Sequence, residues 1–218
     1  MAIFSVGNHK EQGVYNVPTD GVDSMSIEWV SGDCSITPYD GNSIKITEFA
    51  RRDLAEREKL VLDVSDSKVK ISYCKRRISW RMPEKKLEVL IPRGLSEGLD
   101  KLFVSMVSGD VFITDISAYE LDIESVSADV RISGLFDSVD LESVSGDMAF
   151  TGVAASNLSA QSVSGDTRVT IPDDGKTTVR HSSVSGNFSS ELPVIVTQKN
   201  ARLEFSTVSG DIKIFALD

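Results

Sequence analysis

Two cysteines, Cys34 and Cys74, are all that this 218-residue sequence contains. That excludes a disulfide-dense scaffold and a cysteine-built zinc site, and leaves either a single pair or two separate thiols. Histidine is equally scarce, with only His9 and His181. No His/Cys cluster with zinc spacing, P-loop or dinucleotide fingerprint is present. No apolar run approaches the roughly 18–20 residues that span a bilayer. The opening MAIFSVGNHKEQG has neither a basic region nor a long apolar core, so it does not resemble a signal peptide. The expectation is therefore a cytoplasmic chain, or one trimmed of export and anchoring segments.

Positive charge is missing from the second half. Residues 1–100 carry 15 Lys/Arg against 16 Asp/Glu, whereas residues 101–218 carry 8 against 17. Phosphate backbones would be repelled there, which argues against nucleic acid as a partner. No linker rich in Pro, Gly or Ser interrupts the chain, so a single domain over residues 1–218 is expected.

What the sequence does have is a repeat. Val-Ser-Gly-Asp or a close variant occurs with its valine at Val30, Val107, Val126, Val144, Val163, Val184 and Val208. From Val107 onward the steps are 19, 18, 19, 21 and 24 residues. Apolar residues alternate on both sides of each copy: Leu121, Ile123 and Ser125 before Val126, then Val130 and Ile132 after Asp129. Period-two alternation specifies strands, and the Gly-Asp between them a corner. A unit of two short strands and two corners cannot bury its apolar side alone. Stacking copies about 4.8 Å apart builds a continuous core. The expected fold is all-β: a parallel single-chain β-solenoid with rungs of about 18–21 residues over 101–218, with a β-sandwich as the alternative. In residues 1–100, GVYNVP, SIKITEF, KLVLDVS, KVKISYC and KLEVLIPR are expected strands that extend or cap the stack, with the Val30 copy docked into it. Asp40–Gly41 and Ser65–Ser67 are turn signals, and Arg51–Lys59 is either a short helix or an exposed connection.

LIPRGL, the serial VSGD units, IPDDGKTTVRHSSVSGN and the final FSTVSGDIKI together resemble the bacterial toastrack, or adhesin-like, family of β-solenoid domains. The likeness covers roughly Val22 onward. It implies a β-solenoid with a non-enzymatic role at the cell surface or envelope, or an intracellular or membrane-proximal role in sensing envelope stress.

The corners pose the sharpest chemical question. Gly32, Gly109, Gly146, Gly165, Gly186 and Gly210 are expected to supply the φ that a sharp bend needs. Ala128 stands in the glycine position of one copy. Asp33, Asp110, Asp129, Asp147, Asp166 and Asp211 are expected to tie corners by accepting backbone N–H bonds, and Asn187 fits because an amide can do the same without charge. A column of carboxylates also suggests Ca²⁺, but calcium takes six to eight oxygens and one carboxylate per corner is a thin supply. No cofactor is therefore expected. Ser125, Ser143, Ser162, Ser183 and Thr207 form a second column, expected to be a ladder of small hydroxyls rather than nucleophiles. His181 beside Ser182 and Ser183 lacks an oxyanion motif, since neighbours on a strand face opposite ways. The scattered carboxylates are a weak basis for a polysaccharide hydrolase.

Two features remain as binding candidates. From Lys75 to Lys86, the residues Lys75, Arg76, Arg77, Arg81, Lys85 and Lys86 oppose only Glu84, with Trp80 among them. This segment is expected either to be a solvated hairpin tip or to contact an anionic envelope polymer, lipid headgroups or an envelope protein. The second corners (DISAYE, SGLFDS, TGVAASN, IPDDGKTT, SELPVIVTQKNA) vary in length and sequence, as the recognition side of a repeat protein does.

Overall fold

The computed structural model describes residues 7–75, 82–171, 177–192, 194–196 and 202–217. The chain begins with seven strands: β1 (Lys10–Pro18), β2 (Ser24–Ser31), β3 (Cys34–Tyr39), β4 (Ser43–Ala50), β5 (Val61–Ser65), β6 (Lys68–Ser72) and β7 (Lys85–Pro92). One helical turn, α1 (Arg93–Ser96), leads into β8 (Leu99–Ser108), β9 (Val111–Ser127), β10 (Val130–Ser145), β11 (Met148–Thr151) and β12 (Ala154–Ser164). The last six are β13 (Thr167–Ile171), β14 (Thr177–Ser185), β15 (Phe188–Ser190), β16 (Val194–Val196), β17 (Leu203–Ser209) and β18 (Ile212–Ala216). All belong to one open hydrogen-bonded sheet that folds back on itself. Arg51–Lys59 is a connection rather than a helix. Arg52 grips Glu58 through two bonds of 2.9 and 2.8 Å, and Arg52 with the Ala55 amide lowers the Glu58 carboxyl to about 2.

Each VSGD copy joins two strands that leave the corner on different faces. Before the corner, β2, β8, β9, β10, β12, β17 and β14 run side by side and parallel, with Ser31, Ser108, Ser127, Ser145, Ser164, Ser209 and Ser185 in register. After it, β7, β3, the start of β9, the start of β10, β11, β13, β18 and β15 do likewise. The Val30 copy docks against the Val107 copy through β2 and β8. Antiparallel pairing is confined to β1–β4, β4–β7 and β5–β6 among the described residues. The second corner is two bends rather than one. Asp115 (φ 52°) and Gly134 (φ 145°) make the first. A short segment with Ile116 and Ala118 buried follows, and Tyr119 and Glu120 then both face outward before Leu121 turns in.

The rungs do not stack in chain order. β17 lies between β12 and β14, so Leu158 pairs with Leu203 and Leu203 with Val179. The Val184 copy, sixth along the chain, is therefore outermost in space. Inside run rows of Leu, Ile, Val, Met and Phe, among them Val104, Ile123, Leu141, Ala160 and Phe205, which are at most a few per cent exposed. At ~25 cal/mol per Å² of buried apolar surface, these rows are the main favourable contribution to folding. The hydroxyl column is buried at Ser125, Ser143, Ser162 and Thr207. Ser125 Oγ donates to Ser143 Oγ at 2.8 Å, and Ser162 Oγ to the Ser164 carbonyl at 3.0 Å. Ser183 sits on the outermost strand and is exposed.

The corner aspartates tie rung to rung. Asp147 N donates to Asp129 Oδ1, Asp166 N to Asp147 Oδ1, and Asp211 N to Asp166 Oδ1, each at 2.9 Å. Asn187 N then donates to Asp211 Oδ1 at 2.9 Å, which holds that carboxyl below the usual carboxylate range. Asp33 starts the series, accepting from Asp110 N at 3.3 Å. Arg131 bridges Asp110 and Asp129 at 3.2 and 3.4 Å. The carboxylates thus face amides and a guanidinium, and no group of three or more His, Cys, Asp or Glu side chains with metal-binding geometry occurs among the described residues. Glycine is required where backbones of neighbouring rungs approach closely: at Gly165 (φ 132°) a Cβ would lie 2.1 Å from the Gly146 carbonyl oxygen. Ala128 escapes this because its φ is not positive. Cys34 and Cys74 are not joined in a disulfide, and burial, with Asp33 nearby, pushes the Cys34 thiol up to about 12.

Candidate binding groove

A long concave surface lies along the second corners, on strands β8, β9, β10 and β12. Leu99, Ala118, Phe136 and Ala155 are in register there and point inward. Each is followed by an outward residue, which sets Asp100, Tyr119, Asp137 and Ser156 in a row across the rungs. These residues, with Leu135 and Arg202, line an open groove of about 880 Å³. Tyr119 is 67% and Leu135 59% exposed, so an aromatic face and an aliphatic side chain are left uncovered by the described residues. Arg202 is anchored on the wall, its Nε donating to the Ala155 carbonyl at 2.9 Å. Lys101 is drawn to Glu120 and Asp122 at 2.9 and 2.5 Å, and those bonds raise its pKa. Glu97, Asp100 and Asp137 form no ion pair among the described residues, which leaves the groove acidic as well as apolar.

The basic segment divides. Arg76, Arg77, Trp80 and Arg81 lie outside the described residues. Lys75 is exposed, and Lys86 bonds Asp33 Oδ2 at 2.7 Å. Lys85 is no surface residue: its side chain is fully buried and meets Glu48 Oε1 at 2.6 Å. Its ammonium also donates to the carbonyl oxygens of Tyr73 and of Glu58, the latter at 2.9 Å. It lies 3.8 Å from the Tyr73 ring centre and 4.8 Å from that of Trp29. Three donors find three acceptors under two aromatic faces, which holds the side chain charged although burial pulls its pKa down. Burial pushes the Glu48 carboxyl up, against the bonds from Lys85 and Leu60 N. The signal was present in the strand pattern. Lys85, Leu87, Val89 and Ile91 form one alternating row, and Ile44, Ile46, Glu48 and Ala50 another, so opposite charges occupy inward positions of strands that pair directly.

His181 stacks parallel on Phe188 with ring centres 4.3 Å apart. That is a packing role on the outermost rung. No helix among the described residues is long and apolar enough to cross a membrane.

Parallel rungs tied at glycine-aspartate corners and filled with aliphatic rows define the chain as an all-β solenoid-type stack. It belongs to the toastrack family DUF4097, whose model matches residues 1–214. Solved structures share the fold. A "putative cell adhesion protein" from Clostridium sporogenes ATCC 15579 is 11% identical with a TM-score of 0.59, over 96% of this chain and 100% of that one. A "putative adhesin" from Bacteroides fragilis NCTC 9343 is 13% identical with a TM-score of 0.53, over 94% and 96%. A "putative lipid binding protein" from Parabacteroides distasonis ATCC 8503 is 12% identical with a TM-score of 0.50, over 97% and 98%. A search of curated proteins finds no match.

Proposed function

We propose that this chain is a non-enzymatic, adhesin-like binding or scaffold module of the cell envelope or cell surface, and that it holds a neutral surface glycan in the groove along its second corners. The observation that carries this reading is the groove itself. It is long and open rather than enclosed, so it suits a polymer better than a small substrate. The Tyr119 ring offers a flat face for a sugar ring, Leu135 an apolar neighbour, and Asp100, Asp137, Ser156 and Arg202 the donors and acceptors that orient hydroxyls. Three carboxylates against the one guanidinium of Arg202 leave the lining net negative, which disfavours an anionic polymer here. The adhesin names carried by proteins of like fold agree with a surface role, and the N-terminal strands in this reading close one end of the stack.

The test is calorimetric titration with neutral bacterial and host oligosaccharides, comparing the native chain with Tyr119→Ala. A glycan that binds the native chain and is held about tenfold more weakly by the variant supports the reading. Equal affinity for both proteins would remove the groove from the function, as would turnover of the glycan.

A further inference from the structure

A second surface runs along the first corners, on the other side of the rungs from the groove. In the six rungs from Val107 onward the valine of the repeat points outward, whereas Val30 packs partly against the core. Val107, Val126, Val144, Val163 and Val208 are 42–50% exposed, and Val184 on the outermost rung is 84% exposed. The register of the adjoining serines places them in one line. Six valines at about 4.8 Å per rung make an apolar ridge about 24 Å long. Strand propensity does not account for it. Threonine has the same branched shape and similar propensity and would suit a half-exposed position, yet every copy keeps valine.

Carboxylates border the ridge on both sides. On one side runs the corner column that includes Asp129, Asp147 and Asp166. On the other, Glu124 and Glu142 sit directly opposite each other on neighbouring strands, both exposed, with no ion pair among the described residues. Like charges facing across a parallel pair are unfavourable. Between Glu142 and the valines lies a groove of about 460 Å³, lined also by Ser105, Ser125 and Gln161.

We propose that this ridge docks a basic amphipathic helix of a partner protein. Charge selects the occupant. A second copy laid on the same face would set Glu124, Glu142 and the corner aspartates against their like, offset only in part by Arg131 between Asp110 and Asp129, and an anionic membrane would be repelled in the same way. A cationic flank would meet Glu124 and Glu142 and relieve their mutual repulsion. Length and period agree: a helix of about 16–18 residues spans the ridge, and its 5.4 Å pitch stays near the rung spacing over several turns.

The experiment uses a fluorescein-labelled Leu/Lys amphipathic helix of about 18 residues, a scrambled Leu/Lys peptide of the same composition, and a Leu/Glu counterpart. Anisotropy is read with the whole chain and with two variants, Val126→Thr/Val144→Thr/Val163→Thr and Glu124→Gln/Glu142→Gln. Threonine keeps the shape of valine at exposed positions, and melting curves confirm that both variants fold. The inference expects binding of the amphipathic helix alone, weakened about tenfold or more by either variant, with less dependence on salt in the glutamine variant. Equal binding of the scrambled peptide would reduce the effect to general attraction by an acidic chain and overturn the proposal. Undiminished affinity in the threonine variant would do the same, as would self-association in sedimentation that the threonine variant abolishes. Tyr119→Ala leaves this binding unchanged, so the ridge and the glycan groove stand or fall separately.

Discussion

At the residue scale, the repeated aspartate is a tie between rungs rather than a catalyst. The order of the ties explains the one asparagine. Asp129, Asp147, Asp166 and Asp211 each accept the corner amide of the next rung, and Asn187 occupies the outermost rung, where no further amide follows. Asp166→Ala should therefore cost about 1–2 kcal/mol by loss of a charge-assisted hydrogen bond. Asn187→Asp loses the 3.3 Å bond from Asn187 Nδ2 to Asp211 Oδ1 and sets two exposed carboxylates side by side, but it leaves no corner amide unpaired and should cost less than Asp166→Ala. Urea denaturation distinguishes the two, and equal effects would show that position in the stack is irrelevant. The buried Glu48–Lys85 pair gives a second prediction at this scale. Lys85→Met strands Glu48 in the core and should cost about 3–5 kcal/mol near neutral pH. Burial raises the folded pKa of Glu48 above its unfolded value. Its contribution is thus fully favourable below the ordinary carboxylate pKa and is lost as pH rises through the folded value. The destabilisation by Lys85→Met should accordingly be smaller near pH 4 than near pH 8. A flat profile would mean that Glu48 stays neutral or finds another cation.

At the scale of elements, alternation made the strands legible. The rows Leu121–Ile123–Ser125 and Val130–Ile132 are buried as the period-two pattern requires, the turn signal at Asp40–Gly41 falls between strands, and that at Ser65–Ser67 makes the β5–β6 turn at Asp66 and Ser67, with Ser65 ending β5. The insertion of β17 between β12 and β14 was not legible. Parallel strands are joined by long connections, so no tight turn dictates which copy pairs with which, and seven similar copies offer similar edges. One consequence is measurable. In a chain ending at Asn200, β14 loses the only strand paired with Ser182–Ser185 among the described residues. Hydrogen exchange should show those amides unprotected while β9 and β10 stay protected. Retained protection would mean that β14 re-pairs with β12, and that chain order is an accessible alternative.

At the scale of the whole molecule, charge separates the two candidate surfaces from the basic segment that stood out in the sequence. Lys85 left that segment for the core and Lys86 took Asp33 as its partner, while both the second-corner groove and the valine ridge are acidic. A segment's net charge does not say which of its side chains alternate inward, and here that alternation decided the matter. The sequence by itself determined the repeating unit, its inward and outward rows and the glycine-aspartate corners, because these depend on neighbours a few residues apart. Tertiary structure decided the order of the rungs, the path of each aspartate bond to the next rung, and the alignment of six separate valines into one exposed ridge. Each of these depends on which copies of the repeat lie side by side, and stacking sets that, not chain order.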